Sequence, residues 1–253
     1  MKTKEIVLIA ILTILIAFME ITGIPSVFFV NVEIADIEPF YFALMVNFII
    51  IGIISFVYLK KLCPQWKLGF TTVGLVDGLK KYGLIGIIVA LIGFVAFYVG
   101  LRPFDEYPSM GKVMVEGVIY YIGLAIIEEL YIRGLLLNLI EKIFYKNKNQ
   151  TLIAVVLSSV IFGLGHIFGV MNQPILIIIS KVIWTIGMGI FLGMIYKKSN
   201  NLWLPIIIHF IINVCALPYC FSSINGYADI TLYIVVPMYI LLSGYSLFAI
   251  KRV

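Results

Sequence analysis

Charge is what this sequence has least of. Asp, Glu, Lys and Arg make up 12% of its 253 residues, whereas soluble domains carry about 25%. Cysteine is also scarce. Cys63, Cys215 and Cys220 are the only three, too few for a disulfide framework, and Cys215 and Cys220 read as small apolar helix residues rather than as a pair. Histidine occurs only twice. There is no internal repeat, no low-complexity tract and no soluble domain, so residues 1–253 read as a single transmembrane domain. What fills the space is apolar: 62% of the residues are hydrophobic and the mean hydropathy is +1.12. That composition excludes a water-soluble enzyme or binding module and predicts an all-α polytopic membrane protein. The net charge of +5 does not point to nucleic acid, because the basic residues fall between apolar runs, where positive charge sets membrane orientation.

A span needs about 20 mostly apolar residues, and eight windows qualify: 6–28, 40–59, 82–101, 113–140, 151–170, 175–196, 202–218 and 230–250. The first, behind Lys2 and Lys4, has the form of a signal peptide, but no A-x-A-like site follows and it reads as an uncleaved helix. The segment 65–81 is half apolar and is expected to form a short amphipathic helix in the interface. With the N-terminus inside, fourteen of the eighteen Lys and Arg residues fall in cytoplasmic segments, among them Lys60, Lys61, Lys67, Lys80, Lys81, Lys142, Lys146, Lys148, Lys197 and Lys198. The outer loops hold only Arg102 and Lys112. This bias places both termini in the cytoplasm.

Against this background the polar residues inside spans stand out. The fourth carries Glu128, Glu129 and Arg133, and acids in mid-membrane cost roughly 2.5–3.5 kcal/mol each on insertion scales. Glu129 and Arg133 lie four apart on one helical face and can form an ion pair, while Glu128 points about 100° away. A structural ion pair would explain Glu129 and Arg133 but not the second carboxylate. The fifth span carries Phe162-Gly163-Leu164-Gly165-His166, whose two glycines would let another backbone approach His166. The seventh carries His209 and Asn213, four apart on one face. At 1.5 Å per residue the polar groups of these three spans lie roughly 16–22 Å from their lysine-rich ends, in one layer.

A carboxylate and two imidazoles in an apolar cavity suggest hydrolysis, most naturally of an amide. Either Glu128 and His166 hold and deprotonate water while His209 and Asn213 donate to the oxyanion, or Glu128, His166 and His209 bind a divalent metal ion such as zinc. The metal-free version is preferred here because Asn213 beside His209 suits an oxyanion donor better than a zinc ligand. Elsewhere, Lys181 is expected to snorkel outward, Glu20 and Asn47 to pair with neighbouring helices or line a cavity, and Pro205 to kink the seventh helix and open lateral access.

Taken together, Glu128-Glu129-Leu130-Tyr131-Ile132-Arg133, Phe162 to His166, and His209 to Asn213 resemble the three motifs of the CPBP intramembrane proteases, which include CAAX prenyl endopeptidases and the bacterial Abi proteins. The resemblance covers roughly residues 113–217, read as the catalytic core. It implies a fold of about eight transmembrane helices and an intramembrane endopeptidase in which Glu128 and His166 activate water, His209 and Asn213 stabilise the oxyanion, and Glu129, Arg133 and Phe162 support the site. It implies membrane lipid as surroundings and a peptide or protein substrate, here a small membrane peptide rather than a prenylated protein, in a bacterial plasma membrane. Two other functions compete. A proton- or ion-coupled transporter would string polar residues from face to face, and a catalytically silent immunity or scaffold protein would share the fold without the chemistry.

Overall fold

The structure, a computed structural model, describes residues 3–23, 39–100, 110–217 and 229–251. The connections 24–38, 101–109 and 218–228, on which Arg102 and Cys220 fall, lie outside the described residues, while Lys112, expected in an outer loop, falls in the first turn of the helix that begins at Met110. Among the described residues there is no strand. The described residues form eight helices: α1 (Thr3–Thr22), α2 (Pro39–Leu62), α3 (Leu75–Val99), α4 (Met110–Glu129 continuing through Leu130–Leu137 and Asn138–Ile143), α5 (Gln150–Gly169), α6 (Ile175–Ser199), α7 (Trp203–Cys215) and α8 (Asp229–Ile250). Helices are the form expected where lipid offers no hydrogen bonds to the backbone.

All eight expected segments contain a helix, but they differ in their fitness to cross a bilayer. By length and composition six qualify: α1, α2 over Ala43–Leu62, α3, α5, α6 and α8. Helix α7 has 13 residues, about 20 Å at 1.5 Å per residue, against a hydrocarbon core of about 30 Å. Helix α4 carries Glu128, Glu129 and Arg133 in its middle. Among the described residues six crossings are therefore supported in this way.

Helix α6 lies between α5 and α8 and also touches α7, while α4 packs against α1, α2 and α7, and α3 joins α7 to α8. From Trp184 to Tyr196 almost every residue of α6 is buried. Small residues allow this close approach, as expected where helices associate by packing rather than by escape from water. At Gly187 a Cβ would meet the carbonyl oxygen of Tyr239 at 2.7 Å and its Cβ at 2.8 Å. The outward faces of the peripheral helices stay apolar, as at Leu84, Ile49 and Ile53, where acyl chains rather than water would cover them.

One end of the bundle is held by a polar clasp. Lys197 Nζ pairs with Glu141 Oε2 at 2.6 Å, and Asn138 donates to Tyr196 Oη at 2.7 Å. Trp66 Nε1 donates to Gly134 O at 2.9 Å, and Asn201 Nδ2 to Thr71 O at 2.6 Å. These bonds correct the expectation for residues 65–81. Residues 63–74 are an irregular strap tied to α4 and α6, and the helix begins at Leu75, seven residues before the expected third span. Gly69, with φ of +83°, permits the tie, because a Cβ there would meet Asn200 O at 2.8 Å in a conformation that L side chains avoid.

Pro205 also departs from expectation. It falls in the first turn of α7, where no intrahelical donor is lost, so it begins the helix instead of kinking it. The close α6–α8 contact gives a test. Gly187→Val should cost about 1–3 kcal/mol through overpacking and lower the thermal unfolding midpoint in detergent. Gly93→Val, where a Cβ meets nothing within 4 Å, should leave that midpoint unchanged.

Candidate active site

The site is built outward from the middle of α4. Helix α4 changes its winding at Leu130, directly after the two acids, to a π-helical stretch that runs to Leu137. Such stretches are rare and often mark functional sites. The wider turn still leaves Arg133 Nη1 2.8 Å from Glu129 Oε1, as the spacing predicted. Arg133 is fully buried; its Nη2 donates to Gly189 O of α6 at 3.2 Å and its guanidinium lies 4.9 Å from the Phe162 ring centroid. A charge this deep persists only with such partners.

Glu129 has a second partner that spacing within one helix could not reveal. His209 Nδ1 lies 2.8 Å from the same Oε1. Glu129, 0% exposed, thus joins α4 to α7 as well as closing the pair with Arg133. As the acceptor is a carboxylate, Nδ1 carries the hydrogen, which turns Nε2 of His209 toward Glu128 Oε2 at 3.4 Å.

His166 approaches Glu128 from the other side. Helix α5 tightens at Gly165 into the 3₁₀ turn His166–Gly169, and this frees the carbonyl of Phe162 from its usual helical donor. His166 Nδ1 takes that place, donating to Phe162 O at 2.9 Å. A helix end thereby satisfies an orphan carbonyl and orients the imidazole. His166 Nε2 faces Glu128 Oε1 at 3.9 Å. Phe162 packs edge-on against both rings, with centroids 4.6 Å from His166 and 6.3 Å from His209. Of the two glycines, Gly163 makes the close approach, 3.0 Å from a notional Cβ to Val182 O, whereas Gly165 faces open space.

Glu128, His166, His209 and Asn213 line one cavity of about 140 Å³. The side chains of Glu128 and His209 are 7% and 1% exposed, while that of His166 is 23% exposed, so the histidine of α5 stands nearest the opening. The cavity also shows what the sequence did not. Lys181 lines it, with its ammonium 4.9 Å from the Trp184 ring centroid, so it turns into the bundle rather than snorkelling out. Glu20 of α1 comes within hydrogen-bonding reach of Glu128 and Tyr131, which makes it a third carboxyl group at the site. Asn47 is fully buried and its amide atoms meet no partner among the described residues. No signal along the chain distinguishes Glu20 or Lys181, because each reaches the site only through helix packing.

Among the described residues no three His, Cys, Asp or Glu side chains are grouped in a way that could hold a metal ion. Glu128, His166 and His209 have the right donor chemistry for the expected zinc set, but their present spacing does not form it. Cys63 and Cys215 are free thiols.

The buried triad Arg133–Glu129–His209 makes a stability prediction. Arg133→Met takes the guanidinium from Glu129 and should cost about 3–5 kcal/mol. The double substitution Arg133→Met with Glu129→Gln should recover a large part of that loss, read as the midpoint of thermal unfolding in detergent. A double variant no more stable than the single one would show that the charge balance is not what matters there.

Residues 110–215 match the family described as type II CAAX prenyl endopeptidase Rce1-like. No curated protein matches the chain. The matched segment begins at α4 and ends with α7, and so contains Glu128, Glu129, Arg133, Phe162, His166, His209 and Asn213. Over this segment, which is less than half of the chain, the protein is similar to that family, and six of its described helices are long and apolar enough to cross a membrane.

Proposed function

We propose that the cavity is the active site of an intramembrane endopeptidase that works without a metal ion. The observation that carries this reading is the meeting of Glu128 with the two histidines, His209 at 3.4 Å and His166 at 3.9 Å, in a cavity that Asn213 also lines.

Each group has a role that follows from its hydrogen bonds. His166 donates through Nδ1 to Phe162 O, so its Nε2 is an acceptor. Glu128 Oε1 is a second acceptor 3.9 Å away, a separation that one water molecule can bridge. A water donating one hydrogen to each has its lone pairs turned outward, toward a peptide carbonyl. As the oxygen attacks, Glu128 takes a proton and can later return it to the leaving amine. The carbonyl oxygen becomes an oxyanion, and His209 Nε2 and the Asn213 amide are the donors for it.

Donation from His209 Nε2 requires hydrogen on both ring nitrogens. The carboxylates of Glu128 and Glu129, on either side of the ring, balance that charge, and Arg133 holds Glu129 in place. Phe162 fixes the orientation of both imidazoles by packing. The low dielectric of the surroundings strengthens each of these contacts relative to water.

The cavity bounds the substrate. At about 140 Å³ it has room for a short stretch of extended backbone rather than a folded segment. A small membrane-associated peptide in a bacterial plasma membrane is the substrate we favour, with a lipidated protein as the other member of the same class. A transporter would need polar groups that continue across the bundle. The buried ionisable groups described here instead cluster around Glu128, and the charges at the lysine-rich end form a separate clasp.

The experiment is cleavage of a membrane-peptide library by the purified protein in detergent. Glu128→Gln should lower the rate by at least about 10²–10⁴-fold, and Asn213→Ala by about 10²–10³-fold. Both should leave the unfolding midpoint close to that of the parent. Activity should survive a strong chelator; loss on chelation with recovery on adding zinc would replace the metal-free mechanism with a metal-bound one. Cleavage unchanged in Glu128→Gln would remove this cavity from the chemistry.

A further inference from the structure

The cavity does not sit midway along the bundle. Every helix that lines it contributes residues from the same end. From α3 come Val89, Ala90, Gly93 and Phe97, all in the last half of Leu75–Val99. His166 lies three residues from the end of α5, about 5 Å at 1.5 Å per residue. Helix α6 contributes from its first part, with Lys181 about 9 Å from the start at Ile175. The lining residues of α7 fall in its second half and just beyond, and those of α8 in its first half. Consecutive helices run in opposite directions, so these positions all fall toward one end of the bundle. Glu128, near the middle of α4, forms the floor.

The lysines mark the opposite end. Lys60 and Lys61 close α2, and Lys197 and Lys198 close α6. Lys80 and Lys81 lie at the beginning of α3, and Lys142 at the end of α4. Lys251 follows α8. The tertiary structure brings several of them to one region: Lys60, Lys67 and Lys197 line a single groove beside the strap, and Lys142 stacks on Trp66 of that strap. Lysine concentrated at one end of a helical bundle identifies the cytoplasmic end. Lys181, well away from that end, is the one lysine or arginine among the described residues that lines the cavity.

We infer that the cavity opens to the non-cytoplasmic side of the membrane, and that it receives segments of peptides exposed on that side or in the outer leaflet. Cytoplasmic polypeptides would meet the lysine clasp and the floor formed by Glu128 instead. The inference uses only helix direction, the lining residues and the positions of the lysines. The side on which the cavity opens therefore stands apart from the peptidase reading, while the peptide as its occupant rests on that reading; the test of the opening needs no activity.

The test uses the full-length chain with Cys63, Cys215 and Cys220 replaced by Ser, carrying one reporter cysteine at a time. Gly93→Cys places a thiol in the cavity at a position where a Cβ meets nothing within 4 Å, and Ala216→Cys gives a second cavity reporter directly after α7. Val73→Cys reports on the opposite end, where Val73 is 77% exposed. Sealed right-side-out vesicles are treated with a membrane-impermeant maleimide before and after opening with detergent. The cavity reporters should label before opening, at least about tenfold faster than Val73→Cys. Val73→Cys should label only afterwards. Cavity reporters that stay unlabelled until the vesicles are opened, or a Val73→Cys thiol that labels in sealed vesicles, would overturn the inference.

Discussion

A single carboxylate oxygen organises this protein. Glu129 Oε1 accepts from Arg133 on its own helix and from His209 on α7, both at 2.8 Å. In a membrane interior neither an arginine nor a carboxylate is stable alone. Each therefore requires the other, and together they determine where α7 sits and which ring nitrogen it turns to the cavity. From Arg133 the network continues to Gly189 O on α6 and to the face of Phe162 on α5. Four helices thus meet around one buried ion pair. Removing either partner would leave an uncompensated charge where no water can reach it.

The same constraint accounts for the form of the surrounding helices. Helix α5 ends at the site because Gly165 and the tight turn after it release a carbonyl that His166 can take up. Helix α4 loosens into wider turns directly after its acids, and α6 meets α8 at Gly187 and α5 at Gly189 and Gly193. At the lysine-rich end the polar groups serve a different purpose. Glu141, Lys197, Asn138 and Tyr196 bind one another and the strap 63–74, and so keep α2 and α3 in register with α4 and α6. Cavity and clasp lie toward opposite ends of one bundle.

Much of the site could be read along the chain, and the limit is set by distance. Glu129 with Arg133 was legible because four residues make one helical turn, and three spans carrying polar groups at similar depth made a common layer reasonable. Residues with no local partner were misread or left open. Lys181 seemed placed to reach for the surface, yet it faces the cavity beside Trp184. Glu20 gave no sign of lying near Glu128, since α1 reaches α4 only by packing. Pro205 suggested a kink, because the beginning of α7 could not be located closely enough to place the proline in its first turn. Residues 65–74 carried enough apolar side chains to suggest an interfacial helix, but hydrogen bonds to Gly134, Asn201 and Tyr196 hold them as an irregular strap.

What the sequence by itself determined is the medium and the presence of polar side chains within three of its apolar runs. Scarce charge and long continuous apolar runs point to a helical membrane protein, because a helix satisfies its own backbone hydrogen bonds in lipid, and Glu, His and Asn within such runs are costly there. What only the tertiary structure decided is the partnership of those groups. That His209 bonds to Glu129 while its far nitrogen faces Glu128, that His166 is oriented by the carbonyl of Phe162, and that the cavity lies away from the lysines all depend on contacts between helices. Periodicity fixes the face of a helix on which a residue lies, but the neighbour that face meets is settled only when the helices pack.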